Sequence, residues 1–198
     1  KSVPDLEQEA HPPVWPFTDV SDTDWCYDAV AYVHERGIMN GYSQDTFGPQ
    51  NRLSRAQLAQ ILYNLEGRPQ TDSVSGSYGD LTPGAWYEDA ISWAVKSGVL
   101  SGYGDGNMRP NQAVSRQQLA AMLYRYAQHK GSDVSQSADL DGFQDRDQVA
   151  AYAQAPLQWA VAAGIVNGTS ADTLSPNGSA SRAQTAVMLM RFCDFTSL

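Results

Sequence analysis

Hydrophobic residues recur at intervals of three and four along six stretches of the chain, and polar or turn-forming residues separate these stretches. The first two stretches are defined by Ala29, Val30 and Val33, then by Leu58, Ile61 and Leu62. This spacing is typical of amphipathic α-helices that bury one face. Gly37 follows the first stretch, at the position where a glycine commonly ends a helix. The pattern predicts a helix–loop–helix unit.

The unit occurs three times. We place the repeats at residues 17–68, 78–130 and 140–195, after a proline-rich leader at 1–16. A period of about 60 residues is typical of repeat proteins, in which each unit buries its apolar face against its neighbours. We therefore expect one compact all-α domain of three helix–loop–helix repeats, in a pseudo-threefold arrangement with a central helical bundle.

The third repeat departs from the other two in its first helix and its loop. Pro156 stands where the first two repeats have alanine, and proline is tolerated only in the first turn of a helix. We therefore expect this helix to begin about one turn later, or to kink. Tyr152 replaces a tryptophan, and Thr169 replaces the tyrosine of the Gly-Tyr pairs in the other repeats.

Each second helix opens with the same short motif. Its serine hydroxyl is expected to accept a backbone N–H as an N-cap, and the glutamine three residues later to complete a capping box. An arginine then occupies the first helical position. The copies are Leu53–Gln57, Val114–Gln118 and Ala180–Gln184, with Arg55, Arg116 and Arg182 as the arginines.

The motif arginine has two interpretations. A cation at the positive end of a helix dipole is mildly unfavourable, so helix stability does not explain it. Exposed N–H groups and a guanidinium at a helix start favour a carboxylate or phosphate. The alternative is a structural arginine that bridges to an acid of a neighbouring repeat. On the anion interpretation, Arg55→Ala or Arg116→Ala weakens binding and costs little in folding.

The composition and charge of the chain limit the classes of partner that it is expected to bind. The 198 residues are 42% hydrophobic and carry a formal net charge of −9. This charge argues against nucleic acid or an anionic bilayer as the main partner, so any anion must bind at a local cationic spot. No apolar run approaches the roughly 20 residues of a membrane span, and we expect no membrane insertion. No signal peptide is recognisable and the chain begins with Lys1, which indicates a mature or excised fragment.

The sequence indicates no metal site and no cofactor. Cys26 and Cys193 lack metal-ligand spacing. A closed ring of repeats would bring the last against the first, so a disulfide between them is one interpretation; two small buried hydrophobic residues are the other. The loop at 102–107 lacks the alternating acids of an EF-hand.

Acidic residues recur at equivalent positions, namely Asp19, Asp80 and Asp145. A glycoside hydrolase would need two carboxylates about 5 to 10 Å apart across one cleft. Threefold repetition does not resemble one asymmetric active site, and no Ser/His/Asp or Cys/His set is apparent. We therefore expect no catalytic residues and a chain that is not an enzyme.

The repeated pattern Phe-x-Asp-Val, Trp, Gly-Ile-x-x-Gly-Tyr, Phe-x-Pro and Ser-Arg-Ala-Gln resembles the S-layer homology (SLH) domain over residues 17 to about 195. Members of this family hold surface-layer proteins, exoenzymes and cellulosome scaffolds on mostly Gram-positive envelopes. The resemblance implies an anchoring module at the bacterial cell surface. Its ligand would be secondary cell wall polysaccharide, held through a terminal sugar with a pyruvyl ketal, in grooves between repeats.

The resemblance also implies site residues. The arginine of the family motif falls on Arg55, Arg116 and Arg182, and would pair with the pyruvyl carboxylate. The family motif is Thr-Arg-Ala-Glu, so Ser and Gln here preserve the capping box but remove three carboxylates near the arginines. Gln117 in place of alanine adds bulk beside Arg116. We expect one or two competent grooves, with those around Arg55 and Arg116 preferred.

Two further sets of residues belong to the implied site. The aromatic residue at the head of each first helix is either a sugar-stacking face or a core anchor. These residues are Trp25, Trp86 and Tyr152. A glycine of each loop either lets a ligand approach the backbone or forms a turn with positive φ. These glycines are Gly41, Gly102 and Gly168.

Two alternatives to polysaccharide anchoring stay open at this point. The first is a protein-interaction or lattice module that docks other surface proteins. The second is peptidoglycan itself as the ligand.

Overall fold

The structure is a computed structural model that describes residues 15–198, so most of the leader predicted at 1–16 lies outside the described residues. The described part of the chain contains six α-helices and no β-strand, which confirms the all-α prediction. Each repeat contributes two helices. Their bounds are α1 Tyr27–Glu35, α2 Arg55–Leu65, α3 Glu88–Lys96, α4 Arg116–His129, α5 Gln154–Ala162 and α6 Arg182–Thr196.

The second helix of each repeat begins at the predicted capping box. In α2 the Ser54 hydroxyl accepts the backbone N–H of Gln57 at 3.2 Å, and the Gln57 side chain accepts the backbone N–H of Ser54 at 2.9 Å. The same reciprocal pair starts α4 and α6. Gly37 follows the C-cap of α1 with φ +65°, as predicted for a C′ glycine. Local sequence therefore sets the starts of the three second helices and the end of α1.

The first helix of the third repeat begins in the same register as those of the other repeats. The helix α5 starts at Gln154, two residues after Tyr152, just as α1 starts two residues after Trp25. The prediction of a delayed start was therefore wrong. Pro156 is the third residue of α5, where a backbone N–H has no partner within the helix, so its absence breaks no helical hydrogen bond.

The three repeats close on themselves through their helix pairs. The second helix of each repeat packs against the first helix of the next, as in α2 with α3 and α4 with α5. The pair α1 and α6 completes the series by joining the last repeat to the first. The expectation that a ring would bring these two repeats together is confirmed.

Three residues just before the second helices form a closed triangle of backbone hydrogen bonds. The N–H of Val114 donates to Leu53 O at 2.8 Å, that of Ala180 to Val114 O at 2.9 Å, and that of Leu53 to Ala180 O at 3.3 Å. All three residues are fully buried. Each of the three residues thus donates its N–H to one repeat and accepts an N–H from the other through its carbonyl. These bonds tie the starts of α2, α4 and α6 together.

The core lies between the helices and includes two tryptophans, Trp93 and Trp159. Both cysteines are buried and free, so of the two interpretations the structure shows small buried hydrophobic residues. Burial raises the pKa of the Cys26 and Cys193 thiols. Among residues 15–198, no helix combines the length and the apolar composition required to cross a bilayer.

Candidate functional site

The motif arginines cross the boundaries between repeats. The Arg55 side chain is 5% exposed, and its Nε and Nη2 donate to Met108 O at 2.9 Å and Ser101 O at 2.8 Å in the second repeat. The other two arginines do the same with the following repeat. Their acceptors are Leu174 O and Asn167 O for Arg116, and Phe47 O and Asn40 O for Arg182. The bridge therefore runs to backbone carbonyls and not, as the structural interpretation had it, to an acid.

The recurring aspartates hold the same loops from within each repeat. Asp19 accepts the backbone N–H groups of Phe47 at 2.8 Å and Gly48 at 2.7 Å. Asp80 and Asp145 accept equivalent pairs in the second and third repeats. Each loop is thus clamped between its own aspartate and the arginine of the preceding repeat.

The helix starts offer no free N–H groups for an anion. The Arg55 N–H donates to Gln112 O and the Ala56 N–H to Pro110 O, both at 2.9 Å, while the third N–H of α2 is capped by Ser54. The starts of α4 and α6 are paired in the same way with carbonyls of the neighbouring repeats. The argument for an anion site from exposed helix N–H groups was therefore wrong. The guanidinium is the only part of that argument that still offers a donor to an anion.

One nitrogen of each guanidinium is left over. Within residues 15–198 no protein group accepts a hydrogen bond from Nη1 of Arg55, Arg116 or Arg182. These atoms are also not sealed from solvent. Burial lowers the pKa of all three side chains below the ordinary value for arginine. A buried cation with one open donor favours an anionic hydrogen-bond acceptor.

Each motif arginine lies in a groove that takes residues from all three repeats. The Arg55 groove is completed by Gly102, Tyr103 and α4 of the second repeat and by Tyr152 of the third. The Arg116 groove is completed by Gly168, Thr169 and α6 of the third repeat and by Trp25 of the first. The Arg182 groove is completed by Asn40 and α2 of the first repeat and by Trp86 of the second.

The grooves differ in size. The Arg55 and Arg116 grooves have cavity volumes of about 350 and 390 Å³, whereas the Arg182 groove has about 170 Å³. Small-molecule sites in proteins commonly have volumes of about 300 Å³ or more. Size alone therefore favours the first two grooves.

The aromatic residues at the heads of the first helices are exposed. Trp25, Trp86 and Tyr152 show 65%, 61% and 48% of their surface to solvent. The interpretation of these residues as core anchors was therefore wrong. Each lies at the edge of a groove whose arginine and second helix come from the other two repeats, which leaves a flat ring face available to a ligand.

The loop glycines are required by the protein's own packing. None of Gly41, Gly102 and Gly168 has positive φ, so the turn interpretation was wrong. A Cβ on Gly41 would lie 2.5 Å from Cε1 of Phe17, and one on Gly102 would overlap the Tyr78 ring. A Cβ on Gly168 would overlap the backbone oxygen of Ser170 and lie 3.1 Å from Cε1 of Phe143. Gly102 and Gly168 also line their grooves.

The departures of the third repeat do not fall in one groove. Because each groove draws on three repeats, Tyr152 lies in the Arg55 groove and Thr169 in the Arg116 groove. Gln117 does not add bulk to the Arg116 groove, since its side chain donates to Asn177 Oδ1 and accepts the N–H of Ala150. The Tyr103 ring lies 4.9 Å from the Arg55 guanidinium carbon, and the Tyr42 ring 4.5 Å from that of Arg182.

Two groove residues were missed in the sequence. Arg125 lines the Arg55 groove and Arg191 lines the Arg116 groove. Both lie nine positions after the motif arginine of their own helix. A helical projection would have found them, because Gln118, Met122 and Arg125 are spaced four and three residues apart on one face.

These features define a class of protein: a closed all-helical ring of three repeats with a groove at each junction between repeats. The chain belongs to the S-layer homology domain family. The S-layer homology domain matches residues 16–59, 77–120 and 142–186, which confirms the resemblance.

Relatives that share this region are larger proteins. The chain is 30% identical over 168 residues to the surface-layer 125 kDa protein of Lysinibacillus sphaericus, covering 83% of the chain and 14% of that protein. It is 27% identical over 157 residues to the cellulosome-anchoring protein of Acetivibrio thermocellus, covering 78% of the chain and 35% of that protein.

Enzymes also share the region. The chain is 27% identical over 173 residues to exoglucanase XynX of Acetivibrio thermocellus, which covers 87% of the chain and 16% of the enzyme. The alignment with this enzyme is therefore confined to a small share of its length, and in our chain that region consists of S-layer homology domains.

Proposed function

We propose that this chain is a non-catalytic anchoring module that binds secondary cell wall polysaccharide at the bacterial cell surface. The observation that carries the proposal is the buried motif arginine, which lines an inter-repeat groove and whose Nη1 donates to no group of the described chain. No acid among residues 15–198 lines any of the three grooves, although Asp145 acts electrostatically on Arg116 and Asp19 on Arg182. An anionic sugar provides the missing partner.

The ligand is the terminal sugar of the polysaccharide, with its pyruvyl ketal carboxylate against the guanidinium. Two donors of the arginine are already fixed by carbonyls, so the third is held in place before binding and little side-chain entropy is lost. The exposed ring of Trp25 or Tyr152 offers a flat apolar face to the sugar ring. Gln118 and Gln184 also line these grooves, with their amide oxygens engaged in the capping boxes and Gln118 Nε2 donating to the Tyr103 hydroxyl.

The surface-layer and cellulosome-anchoring relatives support this location. We infer a pseudo-threefold arrangement of the repeats. In it α2, α4 and α6 form a central bundle beside the backbone triangle of Leu53, Val114 and Ala180.

The test is calorimetric titration of the chain with purified cell wall polysaccharide fragments, in pyruvylated and depyruvylated forms. We expect binding to the pyruvylated form and at least a tenfold loss on removal of the ketal, because a charge-assisted hydrogen bond is removed. Equal binding of both forms, or preferential binding of peptidoglycan fragments, would show a different ligand. Binding of neither would favour docking of another surface protein.

A further inference from the structure

The three grooves differ in charge at one position of the second helix that lines each of them, nine residues after that helix's own motif arginine. This position is Arg125 in the Arg55 groove, Arg191 in the Arg116 groove and Asn64 in the Arg182 groove. Two of the grooves are therefore lined by a second arginine as well as by the motif arginine. Among the described residues, Arg182 is the only arginine that lines the third groove.

The second arginines have no acidic partner. Within residues 15–198 neither Arg125 nor Arg191 forms an ion pair, although the chain carries 22 acidic residues against 13 basic ones. Burial is the main cause of the lowered pKa of Arg55, and like-charge repulsion from Arg109 and then from Arg125 adds to it. Like charges in one groove disfavour each other, and an anion bound beside them is stabilised by both.

The third groove is built differently. Asn64 Oδ1 accepts hydrogen bonds from Gln60 Nε2 at 3.0 Å and Arg68 Nε at 2.9 Å, so this side chain is held by its own repeat. It brings no charge, and the groove has about half the cavity volume of the other two.

We propose that Arg125 and Arg191 are the second anion-binding residues of the Arg55 and Arg116 grooves, and that the Arg182 groove is a weak site because Asn64 replaces this arginine. The ligand carboxylate lies between the paired arginines. The proposal rests on the function proposed above and adds the residues that set which grooves bind.

The test uses two tryptophans as groove-specific reporters, since Trp25 lines the Arg116 groove and Trp86 lines the Arg182 groove. A pyruvylated wall polysaccharide fragment is titrated into ¹⁵N-labelled protein, and calorimetry gives the number of sites. We expect two sites per chain, and a shift of the Trp25 indole signal at ligand concentrations that leave the Trp86 signal unchanged.

Three variants separate the roles. Arg191→Gln should weaken binding at the Trp25 groove about tenfold or more, the factor expected for one charge-assisted hydrogen bond, and leave one tight site. Arg125→Gln should leave the Trp25 response intact while removing the other site. Asn64→Arg should create a response at Trp86. Arg52→Gln is the matched control, because Arg52 is exposed and outside the grooves but changes the net charge equally.

The outcomes are distinct. Equal shifts at Trp25 and Trp86 in the parent chain, or an Arg191→Gln variant that binds as the parent does, would overturn the two-arginine assignment while the proposed function stands. A parent chain that binds neither the pyruvylated nor the depyruvylated fragment would overturn the proposed function and this assignment with it. Unchanged signals of the core Trp93 and Trp159 indoles in each variant show that the fold is retained.

Discussion

Arg182 in the third repeat donates through Nε to the carbonyl of Phe47 in the first, at 2.9 Å and across 135 positions of sequence. The N–H of the same Phe47 donates to Asp19 at 2.8 Å. One peptide segment is therefore held from both sides by charged groups of two repeats. The arrangement recurs at all three junctions, so the residues that close the ring also place a guanidinium in each groove.

Replacing Arg182 with lysine should destabilise the fold. A single ammonium reaches one of the two carbonyls that the guanidinium bridges, and the buried Phe47 carbonyl or that of Asn40 loses its donor. An unsatisfied buried acceptor costs about 1 to 3 kcal/mol, which urea denaturation would detect. Arg52→Lys, at an exposed position, should leave the midpoint unchanged. The expectation that motif arginines cost little in folding is revised by this geometry, and an unaltered midpoint for Arg182→Lys would restore it.

Asp19→Asn should also destabilise the chain, by about 1 to 3 kcal/mol, because the amide nitrogen cannot accept the second backbone N–H and the charge is lost. Asp22→Asn is a close control, since Asp22 is an exposed residue three positions away. Thermal or urea unfolding of the two variants gives the comparison. Similar losses in both would mean that general surface charge, and not the Phe47–Gly48 clamp, accounts for the effect.

Local chemistry in the sequence was sufficient to predict much of the fold. The capping boxes at Ser54, Ser115 and Ser181 and the C′ glycine at Gly37 depend on neighbours within a few residues, and all of them form. The repeat period also predicted that the last repeat meets the first. The prediction that the N–H groups at the helix starts are exposed was wrong, because they donate to carbonyls of another repeat.

The composition of the grooves could not be read from a single repeat. Trp25 lies in the groove of Arg116, which is 91 positions away in sequence, and the two belong to different repeats. The substitutions at Tyr152 and Thr169 belong to one repeat but lie in two different grooves. Such pairings depend on how the ring closes, and hydrophobic periodicity contains no information on that.

Glu66 should make stability depend on pH in the acidic range. Burial opposes its ionisation, but hydrogen bonds from Tyr126 at 2.9 Å and contact with Lys130 at 3.2 Å lower its pKa below the ordinary 4.5. Because the folded-state pKa is depressed, the stabilisation is present above pH 4.5 and is lost as the pH falls through the folded-state value. Burial raises the pKa of Tyr126, and the hydrogen bond to Glu66 raises it further. The Tyr126 phenol therefore stays protonated throughout this pH range.

Urea midpoints at pH 7, 4 and 3 test this for the parent chain and Glu66→Gln. We expect the variant to be less stable at pH 7 and the difference to shrink by pH 3. Glu35→Gln, at an exposed position of α1, should follow the parent at every pH. A constant difference between the parent and Glu66→Gln would contradict the role of the ionised carboxylate.

Truncation of a buried tryptophan should destabilise the fold much more than truncation of an exposed one. Trp93→Ala removes a side chain that is 5% exposed, and loss of a buried aromatic costs about 3 to 5 kcal/mol. Trp86→Ala removes one that is 61% exposed, and it should change stability by no more than about 0.5 kcal/mol. Denaturant unfolding with far-ultraviolet circular dichroism measures both. A large loss with Trp86→Ala would show that this ring supports the fold as well as the groove.

Gly102→Ala should strain the loop beside the Arg55 groove. The added Cβ would overlap the Tyr78 ring and lie 3.1 Å from Asn107 O, and overpacking of this kind costs about 1 to 3 kcal/mol. Gly104→Ala is the matched control, because it lines the same groove and its Cβ would meet nothing within 4 Å.

A double-mutant cycle with Tyr78→Leu identifies the cause of that strain. Leucine lacks the Cε1 atom that the new methyl group would meet, so Gly102→Ala should cost less in the Tyr78→Leu background than in the parent. Urea unfolding of the four chains gives the coupling energy. Additive losses would place the strain on the Asn107 carbonyl instead. If Gly102→Ala leaves stability unchanged, the glycine is not needed for packing, and the interpretation that it admits a ligand to the backbone is favoured again.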